Sequence, residues 1–565
     1  MTARAAGETT ALVAVSSSNG DDAVELPLAI RPLAVPVVSW ATGEAAGETT
    51  LALDAPAGAL PQSAVTLEVG RSVAASLLNG LEYLTGFPYG CTEQVMSRAL
   101  PNAVVGRAFQ TLRAEPPANT NLPRLVDQSA QRLYALQQND GGWGWWYDDD
   151  SSAYQTAWVV FGLATLAEAG YDVSPAVLDR GASYLEEILE QTGIHERAFV
   201  LYSLAAAGRP NGEAALILWE KQGDKLDAWS LAALALALDA AGESEAAAAA
   251  LDELAARAVV DGERAHWTGV LRDGTYNRKL MASDVRATAF ALSAFVRLRP
   301  GDPLEPQAVR WLMERRRGNG WGTTNETAFA ILALTDHLAG TGLATEPLPF
   351  RVALNGVALA EGALAPGELR RVIPLPLERL RPGANEVVLS GGDRPLAYAL
   401  NARFAVAQSE VAADGPVTIT RAYLNPSGQQ PMTEMMRGDL VKVQLTVQFP
   451  GDAAYVMVED QLPGGLEALN ERLNATGHDS AYYATSSRRA YTWRDYGYNY
   501  KEIRDGRVTF FITDLRAGRA VFTYLARATH SGTFTAMPAE ASAMYDLEVW
   551  GRSDSATVAI GGAEE

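Results

Sequence analysis

A nearly uncharged helical segment recurs through the middle of the chain. It reads Thr156-Ala-Trp-Val-Val-Phe-Gly-Leu-Ala, Thr288-Ala-Phe-Ala-Leu-Ser-Ala-Phe and Thr327-Ala-Phe-Ala-Ile-Leu-Ala-Leu, with weaker copies that begin at Arg197 and Trp229. Successive copies begin 41, 32, 59 and 39 residues apart, which is typical of one helix hairpin per repeat. Helices without charge must be covered on both sides, so the repeat predicts the inner ring of an α/α toroid.

The helical pattern extends from about residue 76 to 343, and two of its repeats follow a Gly-Trp-Gly turn, at 142–144 and 320–322. On both sides of this block, alternating apolar and polar residues bounded by Gly, Pro, Asn and Asp predict β-strands. The predicted strands are 10–16, 24–30, 49–54 and 65–69 before the block, and 351–359, 386–390 and 396–407 after it.

The 565 residues are enough for three or four domains at about 150 residues each. Since the first β flank is too short for several domains, we expect the toroid to be inserted into one β domain that is split in sequence. The predicted units are 1–37 as trailing strands of a preceding domain, 38–75 and 346–410 as the halves of the split β domain, 76–345 as the toroid, and 411–565 as a β-sandwich.

Composition excludes several classes of function. The chain has 46 Lys and Arg against 67 Asp and Glu, a net charge of −21, which argues against nucleic acid as a partner. It contains no run of eighteen apolar residues, so we expect no membrane span, and no signal peptide is visible at Met1. Its one cysteine, Cys91, excludes an internal disulfide and a multi-cysteine metal site.

Common catalytic signatures are absent from the sequence, including the nucleophile-elbow, zinc-protease and nucleotide-binding motifs. The five histidines are scattered without ligand spacing, so we expect no metal, and we interpret the acidic run 148–150 as a solvated loop. An enzyme acting on glycans or isoprenoids stays an alternative, because toroids house such enzymes. Its pocket would be lined by Trp143, Trp145, Trp146 and Trp321.

The segment Gly86-Phe-Pro-Tyr-Gly-Cys-Thr-Glu-Gln94 carries the chemistry. A thiol three residues before a glutamine, at a helix start, lies within reach of the carboxamide of that glutamine. Helix N-terminal amides are expected to lower the pKa of the thiol and to stabilise charge on the acyl oxygen. Cys91 could then displace ammonia from Gln94 and form a thioester, whereas a buried structural cysteine is the plainer alternative.

The sequence Pro88-Tyr-Gly-Cys-Thr-Glu-Gln94 closely resembles the thioester motif of alpha-2-macroglobulins and complement components, in its bacterial form. The toroid is similar to the thioester domain of that family, and the split β domain looks like its CUB partner. Residues 1–37 and 411–565 resemble macroglobulin-like domains. The likeness covers essentially all of residues 20–560.

This resemblance implies a protease inhibitor and not an enzyme. Bacterial alpha-2-macroglobulins trap proteases: a protease cuts a bait region, the molecule rearranges, and a lysine amine of the protease takes the acyl group of Gln94. The resemblance implies a defence role in the periplasm or cell envelope, no cofactor besides the thioester, and upstream macroglobulin domains and a bait region outside this chain. Complement-like or adhesin-like attachment to surface hydroxyls is the alternative use of the same thioester.

Site residues follow by position in the motif. Cys91 supplies the sulfur and Gln94 the acyl group, while Phe87 and Tyr89 match aromatic positions that shield the thioester. Glu93 belongs to the motif, although a solvated or capping carboxylate in a first helical turn explains it equally well. In some complement relatives a histidine accepts the acyl group; His266 lies in the corresponding broad region, but its local sequence does not match.

A thioester that must eventually meet a protein lysine needs a removable cover. We therefore expect the C-terminal β domain to lie against the thioester edge of the toroid, as a two-state gate. One or two of its aromatic side chains should provide the cover. The candidates are Tyr482, Tyr483, Tyr491, Trp493, Tyr496, Tyr498, Tyr500 and Tyr545.

Overall fold

A computed structural model describes most of the chain. The described residues are 7–562 without 19, 31–33, 72–79, 82–83, 85–89, 113–120, 148, 270–280, 318–319, 342–345, 367, 393, 408–411, 429, 433 and 471–496. Within them the chain forms a multidomain protein with a helical toroid between two groups of β-sheets, as the sequence predicts.

The middle of the described chain contains eleven α-helices. In chain order they are α1 (Thr92–Leu112), α2 (Leu122–Leu136), α3 (Ala153–Glu168), α4 (Pro175–Ile188), α5 (Ile194–Ala206), α6 (Gly212–Gln222), α7 (Ala228–Ala240), α8 (Ser244–Ala256), α9 (Asp284–Leu298), α10 (Leu304–Glu314) and α11 (Thr324–Thr341).

The odd-numbered helices form the inner ring of the toroid. Each of α1, α3, α5, α7, α9 and α11 packs against the next, and α11 packs back against α1, so the ring is closed. The even-numbered helices pack outside it. All five repeats identified in the sequence lie on inner helices, and α7 is buried from Ala228 to Leu238 because both of its sides are covered.

Three tryptophan turns fix the starts of inner helices, including one at Trp267 that the Gly-Trp-Gly pattern does not reveal. In each turn the indole N–H donates to a carbonyl near the end of an outer helix, at 2.7–2.8 Å. The backbone N–H of the same residue donates to a threonine hydroxyl of the following inner helix, at 2.9–3.0 Å. The pairs are Trp143 with Thr156, Trp267 with Thr288, and Trp321 with Thr327.

Strands from both sides of the toroid form two four-stranded sheets, with the orders β10-β5-β12-β3 and β4-β11-β8-β9. Strand β12 pairs antiparallel with β3 along its whole length and with β5 on its other side. Their facing sides enclose a separate apolar core. The strands are β3 (Ala34–Ala45), β4 (Glu48–Ala55), β5 (Ala64–Gly70), β8 (Leu348–Leu354), β9 (Val357–Leu364), β10 (Arg370–Pro374), β11 (Gly383–Gly391) and β12 (Leu396–Ala407).

Several local predictions need correction. The segment 351–359 is not one strand but part of the β8–β9 hairpin, which turns at Asn355 and Gly356, both with positive φ; an Asn-Gly pair favours such a turn. Strand β3 begins at Ala34, ahead of the boundary drawn at residue 38. A short hairpin, β6 (Val259–Asp261) and β7 (Arg264–His266), interrupts the helical block. Upstream, β1 (Gly7–Ser17) and β2 (Gly20–Ile30) pair as a two-stranded sheet.

The C-terminal domain contains the remaining described strands in three sheets, of orders β13-β15-β20-β17, β14-β24-β21 and β18-β19-β16-β22-β23. Most of its buried apolar residues form a core of their own. The strands are β13 (Thr418–Leu424), β14 (Met435–Met436), β15 (Leu440–Phe449), β16 (Ala453–Gln461), β17 (Leu466–Ala468), β18 (Tyr500–Arg504), β19 (Arg507–Leu515), β20 (Gly518–Ala528), β21 (Gly532–Ala536), β22 (Glu540–Ala543), β23 (Asp546–Arg552) and β24 (Ala556–Gly561).

None of the helices in the described part of the chain is both long and apolar enough to span a membrane.

Candidate thioester site

The start of helix α1 brings the side chain of Gln94 back to Cys91. Cys91 is the last residue before the helix, and its carbonyl accepts the N–H of Val95 at 3.0 Å. The Gln94 side-chain Oε1 lies 3.4 Å from the backbone nitrogen of Cys91, which donates to it. This is the reach of a glutamine at the third helical position toward the cap residue in a capping box, so ordinary helix capping places the carboxamide beside the thiol.

Water is excluded from this helix start. Cys91 and Glu93 are fully buried, and Gln94 is 4% exposed. The turn that holds Trp145 closes one side, because the Trp145 carbonyl accepts the Thr92 backbone N–H at 3.0 Å and the Thr92 hydroxyl at 3.2 Å. A thioester at this position would therefore be protected from hydrolysis.

The expected lowering of the thiol pKa is wrong. Burial raises the pKa of Cys91 well above its usual value, and the nearby Glu93 carboxylate raises it further. Hydrogen bonds from the helix-start amides and from the Tyr545 hydroxyl act in the opposite direction but do not outweigh burial. Desolvation disfavours the thiolate more than the helix amides favour it, so the free thiol of Cys91 is held neutral.

Glu93 is not the solvated carboxylate that the sequence allows. Its Oε1 accepts the hydroxyl of Ser97, and its Oε2 accepts the hydroxyl of Thr324 at 2.8 Å and that of Tyr545. Burial raises the pKa of Glu93, while these hydrogen bonds lower it. Glu93 therefore joins the starts of two inner helices to the C-terminal domain.

The C-terminal domain covers the pair with the two-residue turn between β22 and β23. Met544 and Tyr545 form this turn. The Met544 sulfur lies 3.4 Å from Gln94 Nε2, and the Tyr545 ring packs 5.6 Å from the Trp145 ring. The expected position of this domain, against the thioester edge of the toroid, is the one that the structure has.

Aromatic rings form the rest of this interface. Trp145 packs against Tyr455 with centroids 4.0 Å apart, and Trp146 stacks on Tyr500 at 4.2 Å and contacts Phe511 at 4.8 Å. Of the aromatic candidates, Tyr500 and Tyr545 meet the toroid, whereas Tyr498 packs on Phe510 within its own domain. The other five candidates lie outside the described residues.

Tyr455 is a contact that the sequence does not reveal. It interrupts the pairing of β16 with β19, and its φ of 54° lies in the left-handed region, which is costly for a bulky side chain. In this conformation its ring contacts both Trp145 and Tyr545. Strand β16 thus tolerates backbone strain where its side chain meets the toroid.

The structure does not place the remaining predicted site residues at this helix start. Phe87 and Tyr89 fall outside the described residues, so their predicted role as a shield stays a prediction. The imidazole of His266 stacks on Trp311 of α10 at 4.9 Å, and no contact within the described part of the chain joins it to Cys91 or Gln94. The acidic run is only partly solvated, because Asp149 accepts the Trp146 N–H at 3.1 Å and the Asn499 side chain at 3.4 Å.

The tryptophans proposed for a glycan or isoprenoid pocket do not line one. Trp143 and Trp321 are buried in their turns, and Trp145 and Trp146 lie under the C-terminal domain. A cavity of about 470 Å³ does open at the opposite mouth of the toroid, where the inner helices end. Its carboxylates are paired with arginines: Glu168 with Arg107 at 3.0 Å, and Asp336 with Arg297 at 3.2 Å. The described residues contain no cluster of three or more potential metal ligands.

Two sequence profiles match the regions that form this site. The profile of the A-macroglobulin TED domain matches residues 63–218 and 211–337, and that of the bacterial alpha-2-macroglobulin MG10 domain matches 417–548. The chain belongs to the alpha-2-macroglobulin family. It is 24% identical over 543 residues to the alpha-2-macroglobulin of Escherichia coli K12, covering 92% of this chain and 31% of that protein.

A second relative is similar in sequence, and a solved structure is similar in fold. The alpha-2-macroglobulin of Thermotoga maritima is 27% identical over 309 residues, which are 54% of this chain and 17% of that protein. The crystal structure of native E. coli alpha-2-macroglobulin from domain MG7 to the C-terminus superposes with a TM-score of 0.76 at 19% identity, covering 98% of this chain and 88% of that one. The chain spans less than a third of the length of these curated relatives.

Proposed function

We propose that this chain is the thioester-bearing C-terminal portion of a broad-spectrum protease inhibitor. Cys91 and Gln94 form an intramolecular thioester, and a lysine amine of an attacking protease takes the acyl group. One observation carries the proposal: the Gln94 carboxamide lies against Cys91 in a buried turn, under a contact from the C-terminal domain. A structural cysteine needs no such partner.

The chemistry follows from this geometry. The sulfur of Cys91 attacks the carboxamide carbon of Gln94, the C–N bond breaks, and ammonia leaves. The first N–H groups of a helix lack intrahelical acceptors and can stabilise negative charge on the acyl oxygen. A lysine amine later attacks the same carbon, the C–S bond breaks, and a stable amide remains with the free thiol. The site acts once, so the protein is an inhibitor and not an enzyme.

The other parts of the chain follow the family. The sheets of 34–70 and 348–407 correspond to the CUB domain, and the β1–β2 hairpin to the end of a preceding macroglobulin-like domain. We infer that a bait region and further macroglobulin domains stand upstream in the whole protein. Its place is the periplasm or the cell envelope, where it defends against foreign proteases.

Amines are the expected acyl acceptors. His266 stacks on Trp311 and has no contact with Cys91 or Gln94 within the described part of the chain, so nothing in this arrangement favours transfer to hydroxyls. A Salmonella alpha-2-macroglobulin has been solved after reaction with methylamine, a small probe for the same step. We expect methylamine or a protease to label Gln94, and glycerol not to. Preferential labelling by glycerol would instead support attachment to surface hydroxyls.

Intact mass spectrometry tests the proposal. The fresh protein should weigh about 17 Da less than its encoded mass, and methylamine should add about 31 Da while freeing one thiol. Cys91→Ser and Gln94→Glu should show neither change, whereas Gln131→Glu, at an exposed position on α2, should behave as the unaltered chain does. An encoded mass together with a readily titrated thiol in fresh protein would contradict the proposal.

A further inference from the structure

The stability of the fold does not explain why a carboxylate is buried at position 93. It is fully buried between Cys91 and Gln94. Its partners are the hydroxyls of Ser97, Thr324 and Tyr545 and the side chain of Asn325. Among the described residues, no Lys, Arg or His forms an ion pair with it. A buried carboxylate that has hydroxyl partners but no cation is costly, so its presence beside the reacting pair needs a chemical reason.

One of its partners belongs to the domain that has to move. Ser97 and Thr324 lie on the toroid, whereas Tyr545 lies on the β22–β23 turn. The Tyr545 hydroxyl also hydrogen-bonds Cys91, so it bridges the sulfur and Oε2 of Glu93. If the C-terminal domain withdrew, Oε2 would lose this donor and would be open on the side that the domain covers.

We propose that Glu93 is the general base of acyl transfer, blocked by Tyr545 while the C-terminal domain is closed and freed when that domain withdraws. This inference rests on the proposed function, because it assigns the proton transfers of that same reaction.

The proton balance of the step needs no co-reactant. The amine nitrogen forms a bond to the acyl carbon of Gln94 and becomes positively charged, and Glu93 Oε2 takes one of its protons. The C–S bond then breaks, its electron pair goes to the sulfur, and the proton passes from Glu93 to that sulfur. The products are an amide and a neutral Cys91 thiol. Since burial and the Glu93 charge raise the pKa of that thiol, the sulfur is a good acceptor for the proton.

The groups around Glu93 affect its protonation. Burial raises the pKa of Glu93 above its ordinary value, and the hydrogen bonds from its partners lower it; a raised pKa is the direction that favours a general base. The titratable groups that face it are Cys91 and Tyr545, with Tyr154 farther along the toroid axis and Arg286 beyond it, bonded to Tyr154 at 3.3 Å. Both Cys91 and Tyr545 stay neutral, because burial raises the pKa of each.

Glu93→Gln in the full chain tests the role of the carboxylate. In the proposal a small amine reacts only in molecules whose C-terminal domain has withdrawn, so Glu93 is free in each reacting molecule. The probe is trifluoroethylamine, a weakly basic amine, and the reaction is followed by intact mass between pH 5 and 8. Each rate is divided by the concentration of unprotonated amine, so that the titration of the amine itself does not enter the pH profile. Among molecules that carry the thioester, we expect the variant to react about 100-fold more slowly and to lose the rise of this corrected rate with pH. An unchanged rate and pH profile would overturn the proposal.

A matched control separates the base from a mere buried carboxylate. Glu326 lies in the first turn of α11, accepts the Thr323 N–H at 3.0 Å, and has a pKa that burial raises. Glu326→Gln should keep the pH profile of the unaltered chain. If Glu326→Gln also removed the rise of rate with pH, the profile would not belong to Glu93 and the proposal would fail.

Tyr545→Phe decides the question even if Glu93→Gln does not form its thioester. This variant keeps the ring that contacts Trp145 and Tyr455 but removes the hydroxyl that occupies Oε2. We expect about a 10-fold faster reaction with the amine; a rate equal to that of the unaltered chain overturns the proposal. If the unaltered chain shows no thioester mass, the proposed function has failed, and not this inference alone.

Discussion

The two mouths of the toroid are lined by different kinds of side chain. At the mouth where inner helices begin, indoles and tyrosines pack against a second domain, and the carboxylate of Glu93 is held by hydroxyls. At the mouth where they end, the ion pairs of Arg107 and Arg297 border a cavity. Among the described residues, side chains therefore exclude water from the mouth where inner helices begin and leave a cavity at the other mouth. The first mouth is where a reactive acyl group would need protection from hydrolysis.

The largest effect should come from the tryptophan turns that fix the sealed mouth. Trp143 is fully buried, and its indole N–H donates to the Leu133 carbonyl at 2.8 Å. Trp143→Ala should lower the free energy of unfolding by about 3–5 kcal/mol, as large-to-small core changes do. Denaturant titration followed by circular dichroism measures it. Tyr147→Ala, at a side chain that is 58% exposed, should change the free energy of unfolding little. Equal losses in the two variants would mean that the tryptophan turn does not stabilise the toroid more than a surface residue does.

Removing the cover should have the next largest effect. A chain without residues 411–565 loses the contacts of Trp145 and Trp146 with the C-terminal domain. Methylamine should then react about 100-fold faster, a change of about 2.7 kcal/mol in the barrier, as measured by intact mass over time. Removal of the β1–β2 hairpin instead should leave the rate unchanged. A truncated chain that reacts no faster would show that the toroid itself, and not the C-terminal domain, limits access to Gln94.

These regions differ in how well the sequence predicts them. The strand 396–407 and the five inner repeats are predicted correctly, because alternation and uncharged 3.6-residue patterns report burial directly. The pairing of Gln94 with Cys91 is a helix-start property, so it too is local and predictable. The expectation that the C-terminal domain covers this side of the toroid is also confirmed.

What the sequence could not predict depends on contacts between distant segments. No local pattern links Tyr455 to Trp145, which lies far earlier in the chain, and only the structure shows the left-handed backbone of Tyr455 and the contact of its ring. The predicted sign of the Cys91 pKa shift was wrong because the largest cause of the shift is burial, which depends on packing by segments far away in the chain. Trp267 lacks the Gly-Trp-Gly signature, although its paired hydrogen bonds, to Leu254 and Thr288, match those of Trp143 and Trp321.

A smaller effect should follow from the threonines of the sealed mouth. Thr156→Val removes the acceptor of the Trp143 backbone N–H and leaves a buried donor without a partner. This should cost about 2 kcal/mol of unfolding free energy, measured by denaturant titration, and Thr288→Val and Thr327→Val should cost similar amounts. Thr156→Ser keeps the hydroxyl and should recover most of the loss; if it does not, the methyl group and not the hydrogen bond matters.

The smallest effect should come from the open mouth. Arg297 is 44% exposed in its pair with Asp336, so Asp336→Asn should change the unfolding free energy by less than about 1 kcal/mol. Burial raises the pKa of Asp336, although Arg297 opposes this shift. A raised folded pKa stabilises the fold below the unfolded value, about 3.9, and that contribution is lost as pH rises through the folded value. Denaturation at a series of pH values should show this loss in the unaltered chain and not in Asp336→Asn. A difference in unfolding free energy between the two chains that stays constant with pH would contradict this prediction.

The pairing of β12 with β3 and β5 also limits when this domain can fold during synthesis. Strands β3 and β5 leave the exit tunnel early, yet their partner is synthesised only after the whole toroid, roughly half a minute later at about 10 residues per second. Until then their apolar faces are unpaired, and the helix start with Cys91 is complete before the C-terminal domain exists. Nascent chains therefore expose unpaired strands, to which chaperones can bind, during this interval. A thioester formed at this stage would be exposed to water, because the C-terminal domain that covers it is not yet synthesised.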